Sequence, residues 1–174
     1  MTGDTISKNV ISENGIHTEH LTVGYDRIPL IRDINLSVGR GEILTLIGPN
    51  GSGKSTILKT ITRQLREVEG TVFLGKDSMQ KLKDSEVSKR LSMVMTERIK
   101  TELQTGREIV ASGRYPYTGR FGVLSEQDWA KVDEAIALVH AEKVQAQDFM
   151  KISDGQRQRL MLARAICQDT DILI

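Results

Sequence analysis

Short apolar stretches alternate with turn residues early in the chain, at residues 16–23, 28–38 and 43–47. Gly24, Pro29 and residues 39–41 interrupt them, which predicts strands joined by tight turns. Residues 42–47 form an almost unbroken apolar run. Because such a run is typical of a parallel strand buried on both faces, we expect a core strand there.

A helical pattern follows the glycine-rich residues 48–53. Ile57, Leu58, Ile61 and Leu65 recur at helical spacing, which predicts the order strand, loop, helix. Two more strands are predicted at residues 70–75 and 91–95, with a charged segment of helical propensity at 84–90 between them.

The second half of the chain is predicted to be mainly helical, with a helical subdomain at about residues 104–168. Ser125 and Asp128 are spaced as the ends of a capping box, which predicts a helix start. One face of that helix carries Trp129, Val132, Ile136 and Val139. A last helix from about residue 154 leads into the apolar residues 171–174, the opening of another strand.

Composition limits the class of protein. The 174 residues suit one domain, residues 15–174, after a polar and flexible lead-in at 1–14. A formal charge of +1 favours no nucleic-acid partner, and no apolar run is long enough to span a bilayer. The N-terminus has no secretory signal pattern, and a single cysteine cannot form an internal disulfide, so a cytoplasmic location is expected. That cysteine, Cys167, is expected to be a small buried residue on a helix.

One motif predicts a phosphate-binding loop. Residues 48–56 fit the pattern G-x-x-x-x-G-K-[ST] between a predicted strand and a predicted helix. Its residues are Gly48, Pro49, Asn50, Gly51, Ser52, Gly53, Lys54, Ser55 and Thr56. Glycines let backbone N–H groups surround phosphates, and the helix N-terminus adds partial positive charge. Lys54 is placed for the β- and γ-phosphates, and Ser55 for Mg²⁺. A chance glycine-rich turn is the alternative, which the strand and helix context disfavours.

A second motif begins at Ser153. Ser153 and Gln156 form an S-x-x-Q capping box, so a helix starts there with small residues and free N–H groups in its first turn. Such a tip binds anions. A well-capped surface helix with a basic flank is the alternative on this motif alone, and the phosphate loop upstream favours the functional interpretation.

Together the two motifs, GPNGSGKST and ISDGQRQRLMLARAI, resemble those of the ATPase subunits of ABC transporters. The resemblance covers the chain from about Ile16 and implies an α/β P-loop NTPase core with an N-terminal antiparallel β-subdomain, a helical subdomain and an incomplete C-terminal part. It implies ATP and Mg²⁺ as cofactors, Lys54 and Ser153 in catalysis, and Ser153, Gly155 and Gln156 as a nucleotide-binding tip. The GRYP stretch at 113–116 resembles the branch that imports iron chelates and cobalamin.

The resemblance also assigns a role to Tyr25, which stands where the family has an aromatic residue that stacks on adenine. A tyrosine packed at a turn is the alternative. Two positions depart from the family. Asp154 replaces a signature glycine, and its carboxylate is expected to face solvent because the first turn of a helix favours Asp. Thr96 or Glu97 stands where the family has its Q-loop glutamine, which puts Mg²⁺ and water binding in doubt.

Three catalytic features of the family are not among these residues. The strand opening at 171–174 leads in the family to an Asp that supports Mg²⁺ and a Glu that polarises water, and a switch histidine follows. His17, His20 and His140 lie elsewhere and are expected to be packed or solvated. The 174-residue chain is therefore expected to be inactive alone.

The resemblance implies an ATP-binding subunit at the cytoplasmic face of the membrane, with transmembrane permease subunits as partners. Two such domains would bind ATP between them, head to tail, with the phosphate loop of one facing the signature tip of the other. Two alternatives remain open: a soluble ABC-type ATPase not linked to transport, and a non-catalytic fragment.

Overall fold

The computed structural model describes residues 15–94, 103–119 and 121–174. It contains two compact units, one ending at Leu82 and the other at Lys83–Ile174. The predicted lead-in at 1–14 lies outside the described residues, and the predicted limits of the domain and of the helical subdomain stay predictions.

The first unit is built on an antiparallel sheet of five strands in the order β2-β1-β4-β5, with β3 also paired to β1. The strands are β1 (Ile16–Tyr25), β2 (Ile28–Ile34), β3 (Ser37–Val38), β4 (Glu69–Leu74) and β5 (Asp77–Ser78). Leu21, Val23 and Leu74 are fully buried in its core. One α-helix, α1 (Lys54–Ile61), and a 3₁₀ helix at Met79–Lys81 complete this unit. The predicted N-terminal antiparallel part is confirmed.

A two-residue turn ends β1 at Tyr25. Tyr25 pairs with Ile28 across the hairpin. Asp26 and Arg27 between them both have positive φ, 49° and 63°. Positive φ at both central residues is the type I′ geometry, whose twist matches that of the flanking strands. The turn thus fixes the backbone position of Tyr25 at the end of the sheet.

The predicted core strand at residues 42–47 is wrong. These residues form no strand, and Ile43 and Ile47 are 94% and 91% exposed. A parallel core strand requires hydrogen-bonded neighbours and covered faces, and no described strand pairs with this segment. The helix that follows the loop is also shorter than the apolar spacing predicted, because α1 ends at Ile61, before Leu65.

The described part of the second unit contains four α-helices, three of which pack around one core. Its helices are α2 (Asp84–Val87), α3 (Gly106–Ala111), α4 (Glu126–Leu138) and α5 (Asp154–Cys167), with a 3₁₀ helix at Ser112–Tyr117. Val132 and Ile136 of α4 pack with Leu160 of α5 in a cluster that α3 completes. Ser125 caps α4 by accepting a hydrogen bond from the Asp128 N–H, so the predicted helix start and apolar face are confirmed.

A short parallel pair of strands, β6 (Leu91–Ser92) and β7 (Ile172–Leu173), also belongs to the second unit. Leu91 pairs with Ile172, and the Ile174 N–H donates to the Ser92 carbonyl at 2.9 Å. Both segments were predicted as strands, although Met95 lies outside the described residues.

Candidate functional site

The glycine-rich loop at residues 48–53 leads directly into α1. Gly51 and Gly53 have φ of 80° and 87°, a left-handed conformation that glycine adopts at little cost. A Cβ on Gly53 would lie only 2.5 Å from Ile31 Cδ1, so the loop rests closely on β2. The loop geometry therefore requires glycine here, for both conformation and space.

The Lys54 side chain folds back over this loop. Its ammonium donates to the carbonyl oxygens of Gly48 at 2.8 Å and Pro49 at 2.7 Å. A third contact, at 3.3 Å, joins it to Ser52 Oγ. An ammonium has three donors, so the loop engages all of them. The positive charge is thus held at the centre of the loop, next to the start of a helix.

Ser55 and Thr56, in the first turn of α1, differ in their surroundings. Ser55 is exposed, whereas Thr56 is 4% exposed. The Thr56 hydroxyl lies 3.3 Å from the Tyr25 hydroxyl, and this contact joins the end of β1 to the helix that follows the glycine-rich loop. Tyr25 itself is 51% exposed. The structure thus brings Tyr25 together with the loop residues in one unit.

The described residues include no group of three or more His, Cys, Asp or Glu side chains placed to hold a metal ion. Mg²⁺ in phosphate-transfer sites keeps several waters and takes its other ligands from substrate phosphates and one or two protein groups. The exposed Ser55 hydroxyl fits the role of one such ligand, so the donor chemistry suits a metal that arrives with a nucleotide.

The second motif forms the N-terminus of α5, in the second unit. Ser153 caps this helix: its hydroxyl accepts from the Gln156 N–H at 3.3 Å, and the Gln156 side chain accepts from the Ser153 N–H at 2.9 Å. Ser153, Asp154 and Gly155 are exposed, and a Cβ on Gly155 would meet nothing within 4 Å. The predicted capping box is confirmed, and its tip faces open space.

Asp154 has a charge partner on its own helix. Its carboxylate accepts from Arg157 at 2.5 Å, and its side chain is 66% exposed, as expected from its first-turn position. Arg157 also donates to the Met150 carbonyl at 3.1 Å, which holds the guanidinium beside the helix start. The Asp154 charge is therefore balanced within the same turn.

The GRYP segment has a structural role that sequence reasoning missed. Arg114 is 8% exposed, donates to Asp128 at 2.9 Å and to the Cys167 carbonyl at 3.0 Å, and lies 3.9 Å from the centre of the Tyr117 ring. It thereby joins the start of α4 to the end of α5. In the sequence, Arg114 stands out only as a charged residue inside a predicted helical segment, and this does not indicate burial.

Several predicted features lie apart from these motifs. The Q-loop position at Thr96 and Glu97 lies outside the described residues. His17 is 7% exposed and stacks on Phe73, whereas His20 is exposed with Nδ1 at 2.7 Å from Asp33. His140 is exposed as well. All three histidines are packed or solvated, as expected.

Comparison with known proteins identifies the family. The family model described as "ABC transporter" matches residues 31–174. The chain belongs to the ABC transporter family. The α/β P-loop NTPase fold expected from the two motifs is likewise confirmed by the solved structures of this family.

Three curated ABC relatives illustrate the similarity. An uncharacterized ABC transporter ATP-binding protein of Methanocaldococcus jannaschii is 43% identical over 159 residues, which cover 91% of this chain and 55% of the relative. The iron(3+)-hydroxamate import ATP-binding protein FhuC of Bacillus subtilis is 35% identical, with 92% of this chain and 60% of FhuC covered. The cobalamin import ATP-binding protein BtuD of Halobacterium salinarum is 34% identical, covering 83% of this chain and 36% of BtuD.

Two solved ABC structures show the same fold. A dimeric ATP-binding cassette in a post-hydrolysis state, bound to ADP and Pi, aligns with a TM-score of 0.75 and 25% identity, covering 91% of this chain and 72% of that one. A metal-chelate type ABC transporter in an inward-facing conformation aligns with a TM-score of 0.74 and 22% identity, covering 90% and 57%. Within the described ranges, no helix has the length and apolar character needed to cross a membrane.

Proposed function

We propose that this chain binds Mg-ATP at residues 48–56, as part of an ABC ATP-binding subunit that couples ATP hydrolysis to import of a chelated metal such as an iron–siderophore complex. One observation supports the nucleotide site most directly. The Lys54 ammonium lies within a glycine loop, bonded to the Gly48 and Pro49 carbonyls, at the start of α1. A held cation and a helix N-terminus together favour a polyphosphate.

Each residue of the loop has a role in this proposal. The glycines let backbone N–H groups face the phosphates, and Lys54 moves from loop carbonyls to the β- and γ-phosphate oxygens. Ser55 would hold Mg²⁺ in part, and the metal, when bound, would supply charge neutralisation at the phosphates. Because phosphoryl transfer needs little covalent help, these residues act by positioning and by electrostatic stabilisation.

The signature tip is proposed to act on a second nucleotide-binding domain. Ser153, Gly155 and Gln156 lie at the start of α5, where Ser153 and Gly155 are exposed and their surroundings are open. In a head-to-tail pair, this tip contacts the γ-phosphate held by the loop of the other copy. The Asp154–Arg157 ion pair supports the proposal, because it reduces the repulsion between Asp154 and that phosphate.

Transmembrane permease subunits are the proposed partners, with the protein at the cytoplasmic face of the membrane. The names of FhuC and BtuD, both import ATP-binding proteins, support this. The described part of the second unit also exposes large apolar side chains: Tyr115 is 57%, Phe121 89% and Val123 75% exposed. We expect the full-length protein to co-purify with a polytopic membrane protein, whereas recovery of soluble partners alone would favour a soluble ABC-type ATPase.

Hydrolysis is proposed to use carboxylates that the family places after the strand at 171–174. Residues 1–174 assayed by themselves, without that segment, are expected to release phosphate at a rate orders of magnitude lower. Steady-state phosphate release, measured beside a version extended through the switch histidine, tests this. Equal rates for the two versions would contradict it.

The nucleotide site itself is tested by two lysine substitutions on the same helix. Lys54→Ala removes the cation of the loop and should abolish most binding of a fluorescent ATP analogue. Lys59→Ala, in the last turn of α1, removes the same charge outside the loop and should leave binding within about twofold, because Lys59 lies five residues further along the helix from Lys54. Equal affinities for Lys54→Ala and the unmodified chain would overturn the proposal.

A further inference from the structure

A cavity beside the end of α1 shares no residue with the glycine-rich loop. Its volume is about 390 Å³, within the range of about 300–1,000 Å³ typical of small-molecule sites. None of residues 48–56 lines it. We propose that this cavity binds a small aromatic carboxylate, a ligand separate from the nucleotide, with the ring on the cavity floor and the carboxylate between Arg63 and Arg66.

The floor of this cavity is apolar and buried. Val72 of β4 and Met79 of the 3₁₀ helix are each 3% exposed, and Leu65 adds a half-buried side chain. Thr60 also lines the cavity, but its hydroxyl already donates to the Thr56 carbonyl at 2.9 Å. The floor therefore leaves a ligand apolar surface to cover. A ring suits it in particular, because the thioether sulfur of methionine makes favourable contacts with aromatic groups.

The rim of the cavity carries the charge that selects an anion. The Arg63 guanidinium donates to the Leu82 carbonyl at 2.8 Å, which fixes its position at the rim. Arg66 is exposed, and among the described residues it has no hydrogen-bond or ion-pair partner. Glu67 is the one acidic residue among the described lining residues, and it accepts a hydrogen bond from the Gln80 side chain. The lining is therefore net positive, and guanidinium groups match the geometry of a carboxylate.

Three probes separate the contributions of ring and charge: benzoate, acetate without the ring, and benzyl alcohol without the charge. An NMR titration that follows the backbone amides measures their binding to the chain. Benzoate should bind about tenfold or more tightly than either comparison probe, as expected when hydrogen bonds to a charged group are added to apolar contact. The signals that shift should include those of Val72 and Met79. Saturating Mg-ATP should not displace benzoate, because the cavity shares no residue with the loop.

Arg66→Gln should weaken benzoate binding about tenfold. Lys81→Gln is the matched control, because it removes the same charge from a neighbouring exposed residue that does not line the cavity, and it should weaken binding less. Arg63→Gly removes the second guanidinium at a backbone φ of 63°, which glycine adopts readily, and thermal melting checks its folding.

Three results would overturn the inference. They are equal losses for Arg66→Gln and Lys81→Gln, displacement of benzoate by Mg-ATP, and benzoate binding no tighter than that of benzyl alcohol. An unmodified chain that binds no benzoate would overturn it as well. Each of these results leaves the proposed nucleotide site untouched, because that site is tested by Lys54→Ala and an ATP analogue.

Discussion

The Arg114 guanidinium donates to the Asp128 carboxylate at 2.9 Å between side chains that are only 10% and 11% exposed. The same guanidinium reaches the Cys167 carbonyl, so one cation connects the GRYP segment, the start of α4 and the end of α5. A charge buried to this degree is tolerated because the guanidinium is hydrogen-bonded to both the carboxylate and the carbonyl.

Removing one partner of this ion pair should be costly. Asp128→Asn leaves the Arg114 charge buried without its counter-ion, so we expect a loss of about 3–5 kcal/mol in the free energy of unfolding. The exposed pair of Arg107 and Asp133, at 37% and 58% exposure, is the matched comparison, and Asp133→Asn should cost less than about 1 kcal/mol. Urea denaturation of both variants measures this, and equal losses would contradict the assigned burial effect.

The same carboxylate should make stability depend on acid pH. Hydrogen bonds from the Ser125 hydroxyl and backbone, and then Arg114, hold the pKa of Asp128 below its ordinary value. Because the folded state binds this proton less readily than the unfolded state, the contribution is present above about pH 3.9 and is lost as the pH falls through the lower folded pKa. Asp128→Asn should therefore flatten the acid limb of stability, measured by denaturation across a pH series. An unchanged acid limb would argue against this role.

Gly113 should not tolerate a side chain. A Cβ at this position would lie 2.4 Å from the Arg164 carbonyl oxygen of α5, so Gly113→Ala must displace backbone and should destabilise the second unit by about 1–3 kcal/mol. Gly119→Ala is the control, because no atom lies within 4 Å of its Cβ position. Differential scanning calorimetry of both variants separates the clash with the Arg164 carbonyl from a general effect of replacing glycine. Similar melting temperatures for the two variants would contradict the clash.

The Cys167 thiol should be unreactive in the folded protein. It is 1% exposed, and burial raises its pKa to about 11. Since the thiolate is the reactive form, a thiol reagent at neutral pH should label it only as fast as the second unit opens. Labelling followed by mass spectrometry, with a urea-unfolded sample as the reference, checks this. Rapid labelling without denaturant would contradict the burial.

Local signals predicted the helices of the second unit well. The capping residues Ser125 and Ser153 fix helix starts through contacts with residues three positions away, so the information lies within a few residues of sequence. Burial of residues 42–47 depends instead on strands distant in sequence, and no described strand covers them. Local pattern therefore indicated an apolar segment without determining its structure.

Some contacts of the candidate site and of the second unit could not be predicted from short sequence patterns either. The motif predicted the loop and α1, since both follow from glycine positions and the lysine. The contact of Tyr25 with Thr56 joins residues 31 positions apart, and that of Arg114 with Cys167 joins residues 53 apart. Such pairs are set by the packing of strands and helices rather than by any short pattern.

The three hydrogen bonds of the Lys54 ammonium set a threshold for any anion that enters the loop. A small monovalent anion offers too few oxygens to replace two carbonyls and a hydroxyl, so its exchange against them is close to neutral. A chain of phosphates offers several charged acceptors at once, each a stronger partner for an ammonium than a neutral carbonyl. In the proposed nucleotide site, the need to replace three hydrogen bonds therefore favours a multidentate ligand over a small monovalent anion.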